Sequence, residues 1–305
     1  MKFHPKIFYN PFSRGSALES SMLSVIGVLI GIFAFGTYMV PLKKYPNYSS
    51  WSFLAVMAVG AVLCSTVIAC ITGQFNLHPV GILCGLLWVV GGALCFWAVQ
   101  AEADLAGTGL RSMSVSILLS FFSGVVIFQE PTALYFSVPA IACMIIGIWI
   151  PASKSKNSIW KKWRSLLSGA VFGTYLIPFK FSGMDGMEFL FPFSVGVCAG
   201  SLILVTIMTL KRRKSFGYPK VPTIFALGSG ILWMLGTLAI FWAIADDGMF
   251  GYAIGYPLLQ LNLVVNQIWG VFAFGEYASR GGRIKLTIST IVILIGAVLL
   301  TLSKM

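Results

Sequence analysis

Gly36-Thr37-Tyr38-Met39-Val40-Pro41-Leu42-Lys43 is followed 137 positions later by Gly173-Thr174-Tyr175-Leu176-Ile177-Pro178-Phe179-Lys180. Five of the eight residues are identical, and the three that differ are apolar in both copies. Two further matches keep chain order. Trp88, Gly91, Phe96, Trp97 and Ala98 recur as Trp233, Gly236, Phe241, Trp242 and Ala243, at an offset of 145, and Gly124, Phe128 and Glu130 recur as Gly270, Phe274 and Glu276, at 146. The offsets differ only by what small loop insertions add. An internal duplication is the natural reading, and it organises the rest of the chain.

The repeated octapeptides close long apolar runs. Of 305 residues, 58% are hydrophobic and only 10% are charged, and the mean hydropathy is +0.90. A water-soluble domain of this size needs far more charge to cover its surface, so lipid must be the main solvent. A hydrocarbon core of roughly 30 Å is crossed by about 20 helical residues at 1.5 Å each. Spans are expected near Met22–Val40, Trp51–Ile71, Gly81–Val99, Gly109–Phe128, Leu134–Ile150, Leu166–Phe179, Phe189–Leu210, Thr223–Ala245, Gly251–Phe274 and Leu286–Leu302. The runs are continuous rather than alternating, which favours helices over membrane strands. The expected fold class is therefore an all-α integral membrane protein of ten transmembrane helices. It divides into a polar N-terminal segment (1–21), a first five-helix repeat (22–150), a basic connecting loop (151–165) and a second five-helix repeat (166–305).

Five is an odd number, so the second repeat crosses the membrane in the opposite sense to the first. Inverted repeats suit a carrier, because two interconvertible packings of similar halves expose one midplane site to either side in turn. A secondary transporter of a small polar metabolite is the function this architecture implies.

The net charge of +12 does not call for a nucleic-acid partner, because the basic residues sit between spans. Sixteen of the 21 Lys and Arg residues fall in loops on one side, among them Lys43, Lys44, Lys161, Lys162, Arg164, Lys211, Arg212, Arg213 and Lys214. The positive-inside rule then places both termini outside the cytoplasm. The first apolar run begins after a polar stretch carrying Lys2, Lys6 and Arg14 and has no small-residue cleavage site, so it is expected to remain as a membrane anchor. Cys64, Cys70, Cys84, Cys95, Cys143 and Cys198 all lie within expected spans without CxxC or Cys/His spacing, and neither a disulfide framework nor a metal site is expected. No cofactor is implied.

The G-T-x-x-x-P-x-K ends of spans one and six, with the Phe-x-Glu ends of spans four and nine, resemble the drug/metabolite transporter superfamily. Within it the chain is most similar to the glucose/ribose porter and rhamnose-transporter group, over about Met22 to Leu302. The resemblance implies a secondary carrier for sugars or related metabolites, often coupled to protons, with a central cavity between the halves. Carriers or exporters of amino acids, nucleobases, nucleosides or drugs stay open as alternatives.

Polar side chains at depth are the candidates for such a cavity, because they are costly in lipid unless they find partners or water. Span nine carries Gln260, Asn262, Asn266 and Gln267. On a continuous helix Asn262 and Asn266 lie about 40° apart on one face, with Gln260 and Gln267 on the opposite one. The offset of 146 aligns Asn262 and Asn266 with Ser116 and Ser120, within a stripe of Ser112, Ser116, Ser120 and Ser123. The face that is polar in both repeats, Ser116, Ser120, Asn262 and Asn266, is expected to line the cavity. The competing reading is that these residues cement helix contacts. Trp88 and Trp233 lie deep in their spans and suit stacking against the apolar face of a ring, or else core packing. Thr37, Tyr38, Thr174 and Tyr175 lie one turn before the prolines that end spans one and six, near the expected cavity mouth.

Lys43 and Lys180 follow those prolines and either pair electrostatically or snorkel to headgroups. No carboxylate lies in the middle of a span; Glu130, Glu276, Asp246 and Asp247 all sit at span ends. If protons drive transport, Glu130 and Glu276 are the coupling candidates. An enzyme is not expected, since the chain has no HExxH motif, no paired carboxylates at depth and no Ser/His arrangement, and His4 and His78 both lie outside spans.

Overall fold

A computed structural model of the protein describes residues 17–102, 105–150, 163–212, 217–244, 251–275 and 279–303. All regular structure among them is helical, as expected for backbone that must satisfy its own hydrogen bonds in lipid. The α-helices are α1 (Ala17–Thr37), α2 (Val40–Lys44), α3 (Ser50–Thr72), α4 (Pro79–Glu102), α5 (Leu105–Phe122), α6 (Leu134–Trp149), α7 (Trp163–Thr174), α8 (Ile177–Ser182), α9 (Gly186–Arg212), α10 (Lys220–Ile244), α11 (Gly251–Leu259), α12 (Asn262–Phe274) and α13 (Arg280–Leu302). Helix α5 runs on into a π-helical turn at Ser123–Ile127.

Among the described residues, seven helical stretches are long and apolar enough to cross a membrane. They include Val25–Lys44, which joins α1 to α2, and Tyr252–Phe274, which joins α11 to α12. Arg111–Ile127 and Leu134–Trp149 are shorter apolar helices.

The repeated prolines do not end spans one and six as expected; each opens a second helical piece. Proline has no N–H, so Pro41 leaves the Thr37 carbonyl without its usual donor and Pro178 does the same to Thr174. Helices α1 and α7 therefore stop at those threonines, and α2 and α8 begin with the prolines in their first turns, where a missing N–H costs nothing. Span nine breaks differently. Past Pro257, the bonds Gln260 N–H to Pro257, Leu261 N–H to Leu258 and Leu263 N–H to Gln260 tighten to a three-residue spacing, and α12 starts afresh at Asn262.

The core is built from helix pairs. Helix α3 packs on α10 and α4 on α9; α1 packs on α10 and α7 on α4; α1 meets α12 and α7 meets α5; α6 pairs with α13. The closest crossings fall on glycines. A Cβ on Gly230 would overlap the Met57 carbonyl of α3, and one on Gly196 would overlap the Ile82 carbonyl of α4. Large apolar side chains such as Leu29, Phe33, Val67, Ile203, Ile224 and Val298 are left on the outer surface, where a bilayer would cover them.

Candidate substrate site

Where α1, α4, α5, α7 and α10 converge on the α11–α12 break, they enclose a cavity of about 50 Å³. Its aromatic wall is formed by Trp88 of α4 and Trp233 of α10, whose ring centroids are 4.3 Å apart at an interplanar angle of 44°. Phe172 of α7 stands 5.9 Å from Trp88 and extends this wall. Small residues make room: Gly91 lies against Phe172, Gly92 against the Trp88 ring and Gly236 against Phe35.

The polar part of the lining comes from Tyr38, Tyr175, Tyr256, Gln260 and Asn262. Among the described residues no Asp, Glu, Lys, Arg or His lines the cavity. Tyr256 donates through its hydroxyl to the Phe172 carbonyl at 2.5 Å, and Tyr252 donates to the Gly173 carbonyl at 3.1 Å. Both acceptors belong to the last turn of α7, where carbonyls lose their helical partners. Asn262 is 3% exposed; its Nδ2 donates to the Leu259 carbonyl at 2.8 Å while its Oδ1 has no partner among the described residues. Gln260, 5% exposed, likewise has an unpartnered Oε1. A larger recess of about 450 Å³ is an open groove along α13, bordered by Arg280, Arg283 and Thr287, and lies on the outer surface.

Of the residues expected at the cavity, the structure brings Trp88, Trp233, Tyr38, Tyr175 and Asn262 together. Ser116 and Ser120 are buried and are not part of the lining: the α5 backbone at Ser116 abuts Gly173 of α7 and its hydroxyl lies beside that of Tyr256, while Ser120 Oγ donates to the Ile117 carbonyl at 3.1 Å. Their neighbour Ser112 meets Ser168 of α7, so the serine stripe faces a helix contact. Asn266 is buried one turn beyond Asn262 and is not part of the lining. Thr37 Oγ1 accepts from Trp269 Nε1 at 3.1 Å, and Thr174 Oγ1 donates to the Ala170 carbonyl at 2.8 Å.

The described charged candidates, Lys43, Lys180 and Glu130, are not part of the cavity lining. Lys43 Nζ lies over the Phe274 ring, 5.0 Å from its centroid. Lys180 pairs with Glu130, whose oxygens also accept from the N–H groups of Tyr252 and Ala253. Glu276, Asp246 and Asp247 lie outside the described residues.

Sequence reading passes over Gln260 and Tyr256. On a continuous helix Gln260 would face away from Asn262; the break between α11 and α12 turns both toward one cavity. Pro257, three residues before Gln260, is the signal that marks this break.

Comparison with known proteins gives a consistent picture. The family described as Sugar transport protein matches residues 29–303. The chain is 26% identical to the glucose uptake protein GlcU of Bacillus subtilis, over 81% of this chain and 87% of that one. It is 24% identical to the glucose uptake protein GlcU of Staphylococcus xylosus, over 71% and 75%. A solved crystal structure with 13% identity superposes with a TM-score of 0.68 over 94% of this chain and 98% of that one, a likeness of fold alone.

Proposed function

The chain belongs to the sugar transport protein family and is a multi-pass membrane sugar transporter, and from that premise we propose that the Trp88–Trp233 cavity is the sugar site of an alternating-access carrier. The observation that carries this reading is the contact of two repeat-equivalent tryptophans beside amide oxygens that lack partners among the described residues. Indole faces suit the apolar face of a pyranose, and free acceptors suit its hydroxyls. A lining without charge among the described residues favours a neutral sugar over a sugar phosphate or a free amino acid. The names of the relatives make glucose the first substrate to try.

The cavity is far smaller than the roughly 300 Å³ or more typical of ligand sites, so it must widen to load. Two inverted five-helix repeats, 22–150 and 166–305, would supply the two openings. Matched contacts support the repeats. Gly36 meets Val265 and the Asn262 carbonyl, while Gly173 meets Leu119 and the Ser116 carbonyl, which are the residues the offset of 146 pairs. Likewise α3 on α10 answers to α9 on α4, with Gly60 and Gly230 at one crossing and Gly196 and Gly85 at the other. On this plan the broken spans one, six and nine, with the shorter α5 and α6, complete ten crossings. The chain then falls within the drug/metabolite transporter superfamily, with both termini outside the cytoplasm. A C-terminal reporter active only in the cytoplasm would overturn that orientation.

Purified protein in proteoliposomes should take up D-glucose or another neutral aldose. Trp88→Ala and Trp233→Ala should each raise KM by about tenfold, since aromatic contacts and buried area are lost together. Unchanged KM in both variants would remove the cavity as the sugar site.

A further inference from the structure

We infer that the α11–α12 break reads the hydroxyl groups of the sugar, with Asn262 Oδ1 and Gln260 Oε1 accepting hydrogen bonds from hydroxyls on one edge of a neutral ring. The inference rests on the reading of the Trp88–Trp233 cavity as the sugar site.

The chain geometry imposes this chemistry. In a continuous helix the Leu259 carbonyl would accept from the N–H of Leu263. Here Leu263 N–H goes to the Gln260 carbonyl at 3.1 Å, and the Leu259 carbonyl is left over. Asn262 Nδ2 takes the vacated place at 2.8 Å. A carbonyl can only accept, so this bond decides which way the Asn262 amide is turned: nitrogen to the backbone, oxygen away from it. That oxygen and Gln260 Oε1 are both buried without partners among the described residues, on residues that line the cavity. Unmet acceptors in a buried site select for ligand donors, because a ligand that lacks the donor leaves the acceptor stranded.

The arrangement is one-sided. The positions that match Gln260 and Asn262 in the first repeat are Ser114 and Ser116, and neither lines the cavity. A ring lying on the tryptophans therefore meets both amide acceptors from the second repeat, while the first repeat offers the Tyr38 hydroxyl. Neutral hydroxyls satisfy the two oxygens at no cost in charge burial, whereas a carboxylate or phosphate would set its own acceptors against them.

Deoxy and deoxyfluoro analogues separate donor from acceptor, because a C–F group cannot donate. The parent is the neutral aldose that quenches tryptophan fluorescence of the wild-type transporter most tightly in a panel of D-glucose, D-galactose, D-mannose and D-ribose. At one or two ring positions both the deoxy and the deoxyfluoro analogue should bind about tenfold more weakly than the parent. In Gln260→Leu, or in Asn262→Ala, that penalty should shrink to within about twofold. Gln260→Leu is the cleaner variant, since Asn262 also caps the broken helix; circular dichroism and thermal melting report whether Asn262→Ala still folds. Retained binding of every deoxyfluoro analogue, or an unchanged penalty in Gln260→Leu together with a folded Asn262→Ala, overturns the inference. If Trp88→Ala binds the parent as the wild type does, or if no neutral aldose binds at all, the reading of the cavity falls with it.

Discussion

Lys180 Nζ lies 3.5 Å from Glu130 Oε1, and the two side chains are only 12% and 11% exposed. The pair links the segment between α5 and α6 to α8, and Glu130 also caps α11 by accepting from Tyr252 N–H at 3.0 Å and Ala253 N–H at 2.7 Å. A carboxylate at a helix N-terminus is favoured by both the unpaired N–H groups and the helix dipole. Glu130→Ala should therefore cost about 1–2 kcal/mol of stability, and Glu130→Gln less, because a neutral amide oxygen still accepts. Thermal melting in detergent checks both, and equal losses would mean that the charge is what matters.

The carboxylates at matching repeat positions are the candidates for driving accumulation, since none lines the cavity among the described residues. Glu276→Gln should abolish accumulation of sugar against its gradient in proteoliposomes while sparing exchange. Accumulation at the wild-type level would exclude coupling through this residue.

Gln129, just before Glu130, has φ 51°, a left-handed conformation that side chains with a Cβ rarely adopt. The matching residue, Gly275, has φ 62° and ends α12 in the same way. Gln129→Gly should raise stability by about 0.5–1 kcal/mol through relief of this strain, and Gly275→Ala should lower it by about 1–2 kcal/mol. Melting temperatures that move the other way would contradict the assignment.

Gly228 and Gly230 lie on one helix but face different surroundings. A Cβ at Gly230 would collide with the Met57 carbonyl, whereas one at Gly228 meets nothing within 4 Å. Gly230→Ala should force α3 and α10 apart and destabilise by about 1–3 kcal/mol. Gly228→Ala should be neutral or stabilising by up to about 1 kcal/mol, as alanine prefers the helix. Expression level and thermal stability of the two variants, side by side, give the comparison.

Ser116→Ala and Ser120→Ala should leave the KM for sugar within about twofold of wild type, because neither serine is part of the cavity lining and α5 packs there on α7. A tenfold rise in KM for either, measured in the same uptake assay as Trp88→Ala, would return the serine stripe to the site.

Much of the site is legible in the repeat. Trp88 and Trp233, like Tyr38 and Tyr175, are found by aligning the two copies, and the structure sets all four around one cavity. The serine stripe shows where that logic stops. Ser116 aligns with Asn262, yet only the asparagine lines the cavity, because α11–α12 is broken at that depth and α5 runs through it unbroken. Local deviations of this kind arise from a single proline and a few tightened hydrogen bonds, which hydrophobic periodicity does not register.

Composition alone determined the solvent: with 58% hydrophobic and 10% charged residues, the chain has too little charge to cover itself in water and must place apolar helices in lipid. Order and offset alone pointed to an internal duplication, through matches such as Gly36–Lys43 with Gly173–Lys180. Only the tertiary structure decided that Gln260 joins Asn262, that the two tryptophans touch and that the serines do not line the cavity. Those are questions of where a helix bends and what packs on it, and they depend on contacts between residues far apart in the chain.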